Sequence, residues 1–350
     1  MDRFDPDGCN RRKFLKTTAL STAALAMNAK LSAATDGATA ALNAATLPKR
    51  EFGKTGIHLS IIGMGGIVVM NAEPDHAGRI VAEFVERGVN YFDVAPSYGD
   101  AELKLGAALE PYRKDVFLAC KTDEKTRAGA QAGLKSSLER LRTGHFDLYQ
   151  LHAVTDVSKD IDTVFAKGGA METFIEAKKS GQVRYLGFSA HSIEAAFAAM
   201  DRFDFDSILF PVNFATYEKG RFGPQIMEKA QSKGLARLAL KALARQKWPD
   251  EHSPERQQYP KCWYQPLTDP HEAELALRFT LSQPVTAALP PGEESLFRLA
   301  LDLAPKFTPI AEAEVNELKA LAANLDPIFD SRTFPPVTET PPSFPALSSI

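Results

Sequence analysis

The hydrophobic and polar positions of the chain follow a regular alternation from Lys49 onward. Short apolar runs, each long enough for one strand, are separated by stretches in which apolar residues recur with helical spacing. Several of these stretches end in Gly just before the next run, as helices often do. Nearly continuous apolar strands joined by helices are typical of a parallel sheet buried on both faces. The eight strand-like runs are LSIIGMGG, NYFDVAP, DVFLACKT, FDLYQLHAV, VRYLGFSAH, DSILFPVNF, LARLALKAL and VTAALPPG.

Eight units of similar length predict an α/β fold of the (β/α)8 TIM-barrel type more than an open, doubly wound sheet. The first run ends in GMGG at residues 63–66, which lacks the third glycine of GxGxxG, so a Rossmann site is not indicated. After the eighth run, TPIAEAEVNELKALAANL predicts one extra C-terminal helix. We expect the barrel to occupy residues 46–328 and a Pro-rich tail to follow over residues 329–350.

The first 45 residues have a different pattern. Arg11 and Arg12 precede a mildly apolar stretch of Ala, Thr, Ser, Leu and Met, and Ala38-Thr39-Ala40 suits an A-x-A cleavage site. This segment resembles a twin-arginine (Tat) export signal. It predicts that the Tat translocase exports the folded protein to the periplasm with a cofactor acquired in the cytoplasm. The alternative is a solvated basic tail leading into an Ala-rich surface helix.

Composition narrows the classes of partner. The chain has 350 residues, is 44% hydrophobic and carries a formal net charge of -3, so it can bury a large core and has no basic excess. This balance argues against nucleic acid as a partner. No apolar run predicts a stable membrane span after processing of the leader. The cysteines and histidines show no CxxC or HExxH spacing, so no metal site is expected.

Four chemically capable residues fall at the ends of three consecutive strands. Asp93 ends the second strand, Tyr98 follows it, Lys121 ends the third strand and His152 ends the fourth. Each has an ordinary explanation by itself: a turn cap, a rim aromatic, a solvated lysine and a core histidine. The active sites of barrels lie at the C-terminal ends of their strands, so the coincidence predicts one site.

These residues also carry a family resemblance. FDVAPSYGDAELKLGAAL, the KT after strand three and the LH after strand four resemble the aldo-keto reductase pattern from about Lys49 to Leu325. REFGKTGIHLSIIGMGG resembles the family's opening β-hairpin and first strand. The resemblance implies hydride transfer between NADPH or NADH and a small-molecule carbonyl or alcohol. It implies that Tyr98 is the general acid, that Lys121 and Asp93 tune it, and that His152 orients the carbonyl oxygen.

Elementary chemistry supports these roles. Hydride attack on a carbonyl makes an alkoxide, which a poised hydroxyl stabilises by donating its proton. A free tyrosine has a pKa near ~10, and a neighbouring ammonium is expected to lower it. A half-buried Lys121 requires a partner, and Asp93 is the natural one.

Cofactor contacts are expected along the rim, with alternatives open. The resemblance implies a nicotinamide site at Ser189 and Asn213, but Ala190 and Leu209 stand where the family has amide side chains. His191 could substitute for them or have no catalytic role, and Lys241 could line the groove or be solvated. A phosphate could meet backbone N–H groups in LPPGEESLFR, where Glu293 and Glu294 make a preference for NADPH doubtful. The candidate cofactor-binding residues are Gly65, Gly66, Ser189, His191, Asn213, Lys241, Gly292, Ser295 and Arg298.

Two readings of function remain. The first is an NAD(P)H-dependent oxidoreductase, which the four residues favour. The second is a catalytically weak nucleotide-binding or interaction protein on the same barrel, which Ala190 and Leu209 favour. The long segment from Gln246 to Asp269 predicts an aromatic lid or substrate wall, or alternatively a structural plug or a partner surface.

Overall fold

The computed structural model describes residues 47–331, so the predicted Tat-type leader and nearly all of the Pro-rich tail lie outside the described residues. Its strands are β1 (Lys49–Glu51), β2 (His58–Ser60), β3 (Met64–Gly65), β4 (Tyr91–Asp93), β5 (Phe117–Thr122), β6 (Phe146–Val154), β7 (Val183–Ala190), β8 (Ser207–Pro211), β9 (Ala236–Leu240), β10 (Ala244–Gln246), β11 (Gln265–Pro266) and β12 (Ala287–Leu289). Its α-helices are Pro74–Glu86, Ala101–Leu109, Arg127–Arg140, Thr163–Phe165, Ala170–Ser180, Ile193–Arg202, Phe214–Glu218, Pro224–Lys233, Pro254–Gln258, Pro270–Ser282, Glu294–Leu303 and Glu312–Ala322. A 3₁₀ segment, Gly66–Val69, follows β3.

The main sheet is a ring of parallel strands in the order β3-β4-β5-β6-β7-β8-β9-β12. A parallel bridge between Ile62 and Ala288 joins its two ends, and the Gly63 amide donates to the Ala288 carbonyl at 2.9 Å. The predicted (β/α)8 barrel is therefore confirmed. The predicted first strand is divided into β2 and β3, because the chain must leave the hairpin β1–β2 before it enters the barrel.

The antiparallel hairpin β1–β2 lies at the opposite end of the barrel from the candidate site. Phe52 in its turn is fully buried, and its ring centroid lies 5.0 Å from that of Phe117 and 5.5 Å from that of Tyr185. This aromatic cluster fills the N-terminal end of the barrel, so solvent reaches the interior from the C-terminal end of the strands. That end is where the functional side chains lie.

The helices begin and end where local chemistry predicts. Gly181 and Gly234 have φ angles of 80° and 76° at the C-termini of their helices, a left-handed conformation that glycine adopts at little cost. The extra C-terminal helix is present as Glu312–Ala322. Among the described residues, no helix has both the length and the apolar character needed to cross a bilayer.

Candidate active site

Asp93 and Lys121 form a buried ion pair at the mouth of the barrel. Lys121 Nζ donates to Asp93 Oδ1, and the two side chains are only 1% and 2% exposed. The same nitrogen lies 3.4 Å from the hydroxyl of Tyr98, in the turn after β4, and 3.3 Å from the carbonyl oxygen of Val94. The structure therefore brings the predicted carboxylate, ammonium and phenol into one connected group.

The second oxygen of Asp93 is held by two groups that the sequence analysis missed. Gln150 Nε2 donates to Oδ2 at 3.0 Å and the Tyr91 hydroxyl at 3.3 Å. A signal for both was present in the sequence. Side chains two apart on a strand share a face, so Tyr91 accompanies Asp93 and Gln150 accompanies His152. These hydrogen bonds keep Asp93 oriented toward Lys121 and away from solvent.

The pKa of Tyr98 is higher than the sequence analysis predicts. Burial raises the pKa of Tyr98, and the attraction of Lys121, which acts in the opposite direction, offsets only part of that rise. The predicted net lowering is therefore wrong, because desolvation of the phenolate outweighs the neighbouring ammonium. Tyr98 consequently keeps its proton at neutral pH, as a proton donor must. Lys121 stabilises the phenolate once that proton leaves.

His152 lies on the other side of Tyr98. The two rings meet edge-on, with centroids 5.7 Å apart and planes at 76°. Nδ1 of His152 lies 2.7 Å from Asp123 Oδ1 and 3.3 Å from Ser97 Oγ. The sequence analysis identified neither Asp123 nor Ser97, since both are in loops where no periodicity indicates direction. All four predicted catalytic residues thus border one mouth.

A second group of side chains lies across this mouth. Lys241 follows β9, is 9% exposed, and its Nζ lies 3.4 Å from Nε2 of His191. The same Nζ is 5.4 Å from the ring centroid of Trp263 and 5.7 Å from that of Phe329, which stacks on His191 with centroids 5.1 Å apart. Burial, and then the charge of Lys121, lowers the pKa of Lys241 to about 7.

His191 is the neutral member of that pair. Burial first, and then the charges of Lys241 and His152, lower the pKa of His191 well below its ordinary value of 6.5. Its Nε2 can therefore accept a hydrogen bond from Lys241. Among the contacts that the described residues make with Lys241, no carboxylate oxygen lies within ion-pair distance. The mouth thus contains a buried lysine with no counter-ion from the described part of the chain, so part of its population is neutral near pH 7.

Comparison with known proteins agrees with this geometry. The sequence profile of the aldo/keto reductase family matches residues 61–323. The chain belongs to the aldo/keto reductase family. It is accordingly an oxidoreductase that uses NAD(P)H to reduce carbonyl groups. This result favours the enzyme over the binding-protein alternative.

Individual relatives of this aldo/keto reductase are distant. The uncharacterized oxidoreductase YqkF of Bacillus subtilis (strain 168) is 27% identical over 301 residues, which are 78% of this chain and 95% of that protein. L-galactose dehydrogenase of Arabidopsis thaliana is 26% identical over 168 residues, 44% of this chain and 51% of the relative. Among solved structures, the holo form of aldo-keto reductase AKR11C1 from Bacillus halodurans superposes with a TM-score of 0.63 at 24% identity, covering 81% of this chain and 99% of that one. At that identity the last likeness supports the fold alone.

Two predicted cofactor residues of this aldo/keto reductase have local structural partners. Ser189 Oγ accepts from the Ala153 amide at 2.6 Å, which fixes the backbone beside His152. Asn213 is fully buried and caps the helix Phe214–Glu218, its Oδ1 accepting from the Thr216 amide at 2.9 Å. Its Nδ2 has no hydrogen-bond partner among the described residues and remains able to donate to a ligand.

Ala190 and Leu209, which stand where the family resemblance implies amide side chains, are both apolar and buried. Ala190 is fully buried, and Leu209 is fully buried within the interior of the barrel. Neither can donate or accept through its side chain. Polar side chains at this part of the rim come instead from His191 and Lys241, one residue beyond β7 and β9.

The predicted cofactor-site glycines differ in their surroundings: Gly66 and Gly292 are closely packed, and Gly65 borders open space. A Cβ on Gly66 would lie 2.7 Å from Val94 Cγ2, and one on Gly292 would lie 2.3 Å from Ile67 Cγ2, so both positions require glycine. A Cβ on Gly65 would meet no atom within 4 Å. Gly65 pairs with Asp93 across β3 and β4, and so contributes open space beside the ion pair.

Arg298 is engaged within the protein. Its guanidinium binds Glu294 at 2.9 Å and also contacts Glu83, while Nε2 of His76 lies 2.8 Å from Glu294. Ser295, in the first turn of the same helix, is exposed. The charge of Arg298 is therefore balanced by two carboxylates before any ligand reaches it.

The predicted aromatic lid is divided between two roles. Trp248 is buried and its Nε1 donates to the Cys262 carbonyl at 3.0 Å, and Tyr264 is buried too, so both stabilise the loop. Trp263 is 50% exposed and lies beside Lys241. Of the pair Trp263-Tyr264, only Trp263 faces the mouth. The structure therefore favours a structural plug for most of the segment and a substrate wall at Trp263.

Proposed function

We propose that this enzyme reduces a small aldehyde or ketone with Tyr98 as the proton donor. The observation that carries the proposal is the position of Lys121 Nζ, 3.4 Å from the Tyr98 hydroxyl while bound to buried Asp93. NAD(P)H, when bound, supplies the hydride to the carbonyl carbon. Tyr98 supplies a proton to the oxygen, and Lys121 stabilises the phenolate that remains.

The residues at the mouth fit a nicotinamide dinucleotide. A buried ammonium with no counter-ion is costly, which is why the pKa of Lys241 falls to about 7, and an anionic phosphate beside it would favour its protonated form. The unused Nδ2 of Asn213 and the open space at Gly65 are further features that a ligand would satisfy. Lys241 would hold negative charge, while Asn213 would donate one hydrogen bond.

We further propose that NADH binds at least as tightly as NADPH. The extra phosphate of NADPH requires a cation that is free to bind it. Arg298 already lies against Glu83 and Glu294, and Glu294 also accepts from His76. An added phosphate would have to compete with two carboxylates for this guanidinium. The ion pairs of Arg298 thus support weak discrimination between NADH and NADPH.

Export through the Tat pathway is proposed from the sequence alone. The support is Arg11-Arg12 ahead of an Ala-rich stretch and a small-residue cleavage motif. The Tat translocase moves folded proteins, so the enzyme would reach the periplasm with its nucleotide already bound.

Tyr98→Phe tests the catalytic proposal. The change removes one hydroxyl and keeps the ring beside His152, so nucleotide binding and stability should survive. The rate of carbonyl reduction should fall by roughly 10²–10⁴-fold, the usual worth of a general acid. Single-turnover oxidation of bound NADH by a panel of aldehydes and aldoses measures the rate, and a fluorescence titration measures nucleotide affinity. Tyr112→Phe, outside the mouth, is the matched control. Full activity of Tyr98→Phe on every compound that the wild type reduces would refute the assignment.

A further inference from the structure

The contacts of His152 determine which of its nitrogens carries a proton. Asp123 Oδ1 lies 2.7 Å from Nδ1, a distance typical of a strong, charge-assisted hydrogen bond. The pKa of Asp123 is lowered, chiefly by its hydrogen bond with His152 and with a contribution from Ser97. An ionised carboxylate accepts only, so the hydrogen of this bond belongs to Nδ1.

This placement restricts what the other nitrogen can do. A neutral imidazole has one N–H, so a histidine protonated on Nδ1 has only a lone pair at Nε2. A carbonyl oxygen also has only lone pairs and cannot hydrogen-bond to that nitrogen. The predicted role of His152 in orienting a carbonyl oxygen therefore requires the doubly protonated ring.

We propose that Asp123 is a positioning residue that fixes the Nδ1–H tautomer of His152, so that this histidine donates to the reacting oxygen, in reduction and in the reverse oxidation alike, only when doubly protonated. The inference rests on the proposed function, because it concerns the same mouth. In reduction, hydride from NAD(P)H joins the carbonyl carbon, a proton from Tyr98 joins the oxygen, and NAD(P)⁺ and an alcohol result. His152 contributes a hydrogen bond from Nε2 to that oxygen.

Other charged and titratable groups face His152 from each neighbouring element. Tyr98 follows β4, Lys121 and Asp123 belong to β5 and its loop, His191 follows β7, and Lys241 follows β9. Asp123 is the one of these that contacts the ring nitrogen directly. A substitution that removes the charge of Asp123 and keeps the shape of its side chain separates its effect on His152 from that of the other groups.

Asp123→Asn makes that change. An amide can donate to Nδ1 as well as accept from it, so the Nε2–H tautomer becomes available to the neutral ring. Reduction should then lose less activity as pH rises, because neutral His152 can donate to the carbonyl oxygen. Oxidation should likewise retain more activity at high pH than in the wild type, because both directions pass through one transition state. Glu124→Gln removes the adjacent exposed charge and serves as the matched control.

Two measurements test the proposal separately from the chemistry of Tyr98. Nitrogen-15 NMR of the histidine-labelled protein reports the tautomer directly: Nδ1–H in the wild type, with Nε2–H appearing in Asp123→Asn. The pH profiles of kcat/KM for both directions provide the functional readout. An Nε2–H tautomer in the wild type would overturn the proposal even in an active enzyme. Equal losses in both directions with unchanged pH profiles would overturn it as well, by reducing Asp123 to a structural residue. A wild type with the Nδ1–H tautomer and no reductase activity would instead contradict the proposed function.

Discussion

The Asp93–Lys121 pair allows a sharp test of the energetics of the site. Lys121→Met removes the ammonium and leaves a buried carboxylate whose remaining side-chain partners, among the described residues, are Gln150 and Tyr91. Breaking a buried pair by removing one partner costs about 3–5 kcal/mol, because the remaining charge is uncompensated. We expect a loss of that size in the free energy of unfolding at pH 7.

The double variant Asp93→Asn with Lys121→Met should be more stable than Lys121→Met alone. Asparagine keeps an oxygen for Gln150 but carries no charge, so most of the penalty disappears and about 2 kcal/mol or more should be recovered. Urea unfolding followed by far-UV circular dichroism measures all four members of the cycle. Lys135→Met is the control, since Lys135 and its partner Glu139 have side chains that are 80% and 67% exposed. Its loss should cost no more than about 1 kcal/mol.

The stabilisation that Lys121 contributes to the folded state depends on pH with a definite sign. Burial alone would lower the pKa of Lys121, but Asp93 and Tyr98 outweigh it and the net shift is upward from 10.5. A raised pKa in the folded state means that the stabilisation is complete below pH 10.5 and is lost only as pH rises beyond it. Additive costs in the cycle, or an equal penalty for Lys135→Met at pH 7, would refute the account of the ion pair.

Two further predictions concern cofactor choice and export. Glu294→Gln should release Arg298 from one carboxylate and tighten NADPH binding by roughly 2- to 5-fold, on the order of 0.5–1 kcal/mol, while NADH affinity stays constant. Fluorescence titration of both nucleotides measures these affinities. A strong wild-type preference for NADPH that the variant does not change would contradict the prediction. Replacing Arg11 and Arg12 with lysine should leave a folded enzyme in the cytoplasm, as fractionation and immunoblotting would detect, and normal periplasmic amounts would exclude the Tat interpretation.

The sequence predicts the barrel and the four catalytic candidates because both depend on strand order. The C-terminal ends of consecutive parallel strands must meet at one rim, whatever the details of packing. Asp93, Lys121 and His152 are strand residues, so their convergence follows once the strands are recognised. The period of two extends the same logic to Tyr91 and Gln150, whose side chains share faces with Asp93 and His152.

The remaining features depend on contacts between loops and distant elements. Asp123 reaches Nδ1 of His152 from a loop, and Glu83 meets Arg298 from a helix 215 residues earlier in the chain. No local pattern encodes either contact. The pKa of Tyr98 illustrates the same difficulty quantitatively. The neighbouring ammonium of Lys121 can be expected from the strands, but the opposing effect of burial depends on how every loop closes over the ring.

These loop-borne contacts are also the ones that decide the chemistry. The buried Asp93–Lys121 pair makes Tyr98 a competent proton donor in reduction and its phenolate a competent proton acceptor in oxidation, since the phenol can lose and regain a proton beside the same ammonium. The pH dependence then depends on the partner ring, whose tautomer is fixed by a half-exposed aspartate. The barrel therefore determines that hydride chemistry can occur, whereas a single surface loop determines the protonation state in which His152 can assist it.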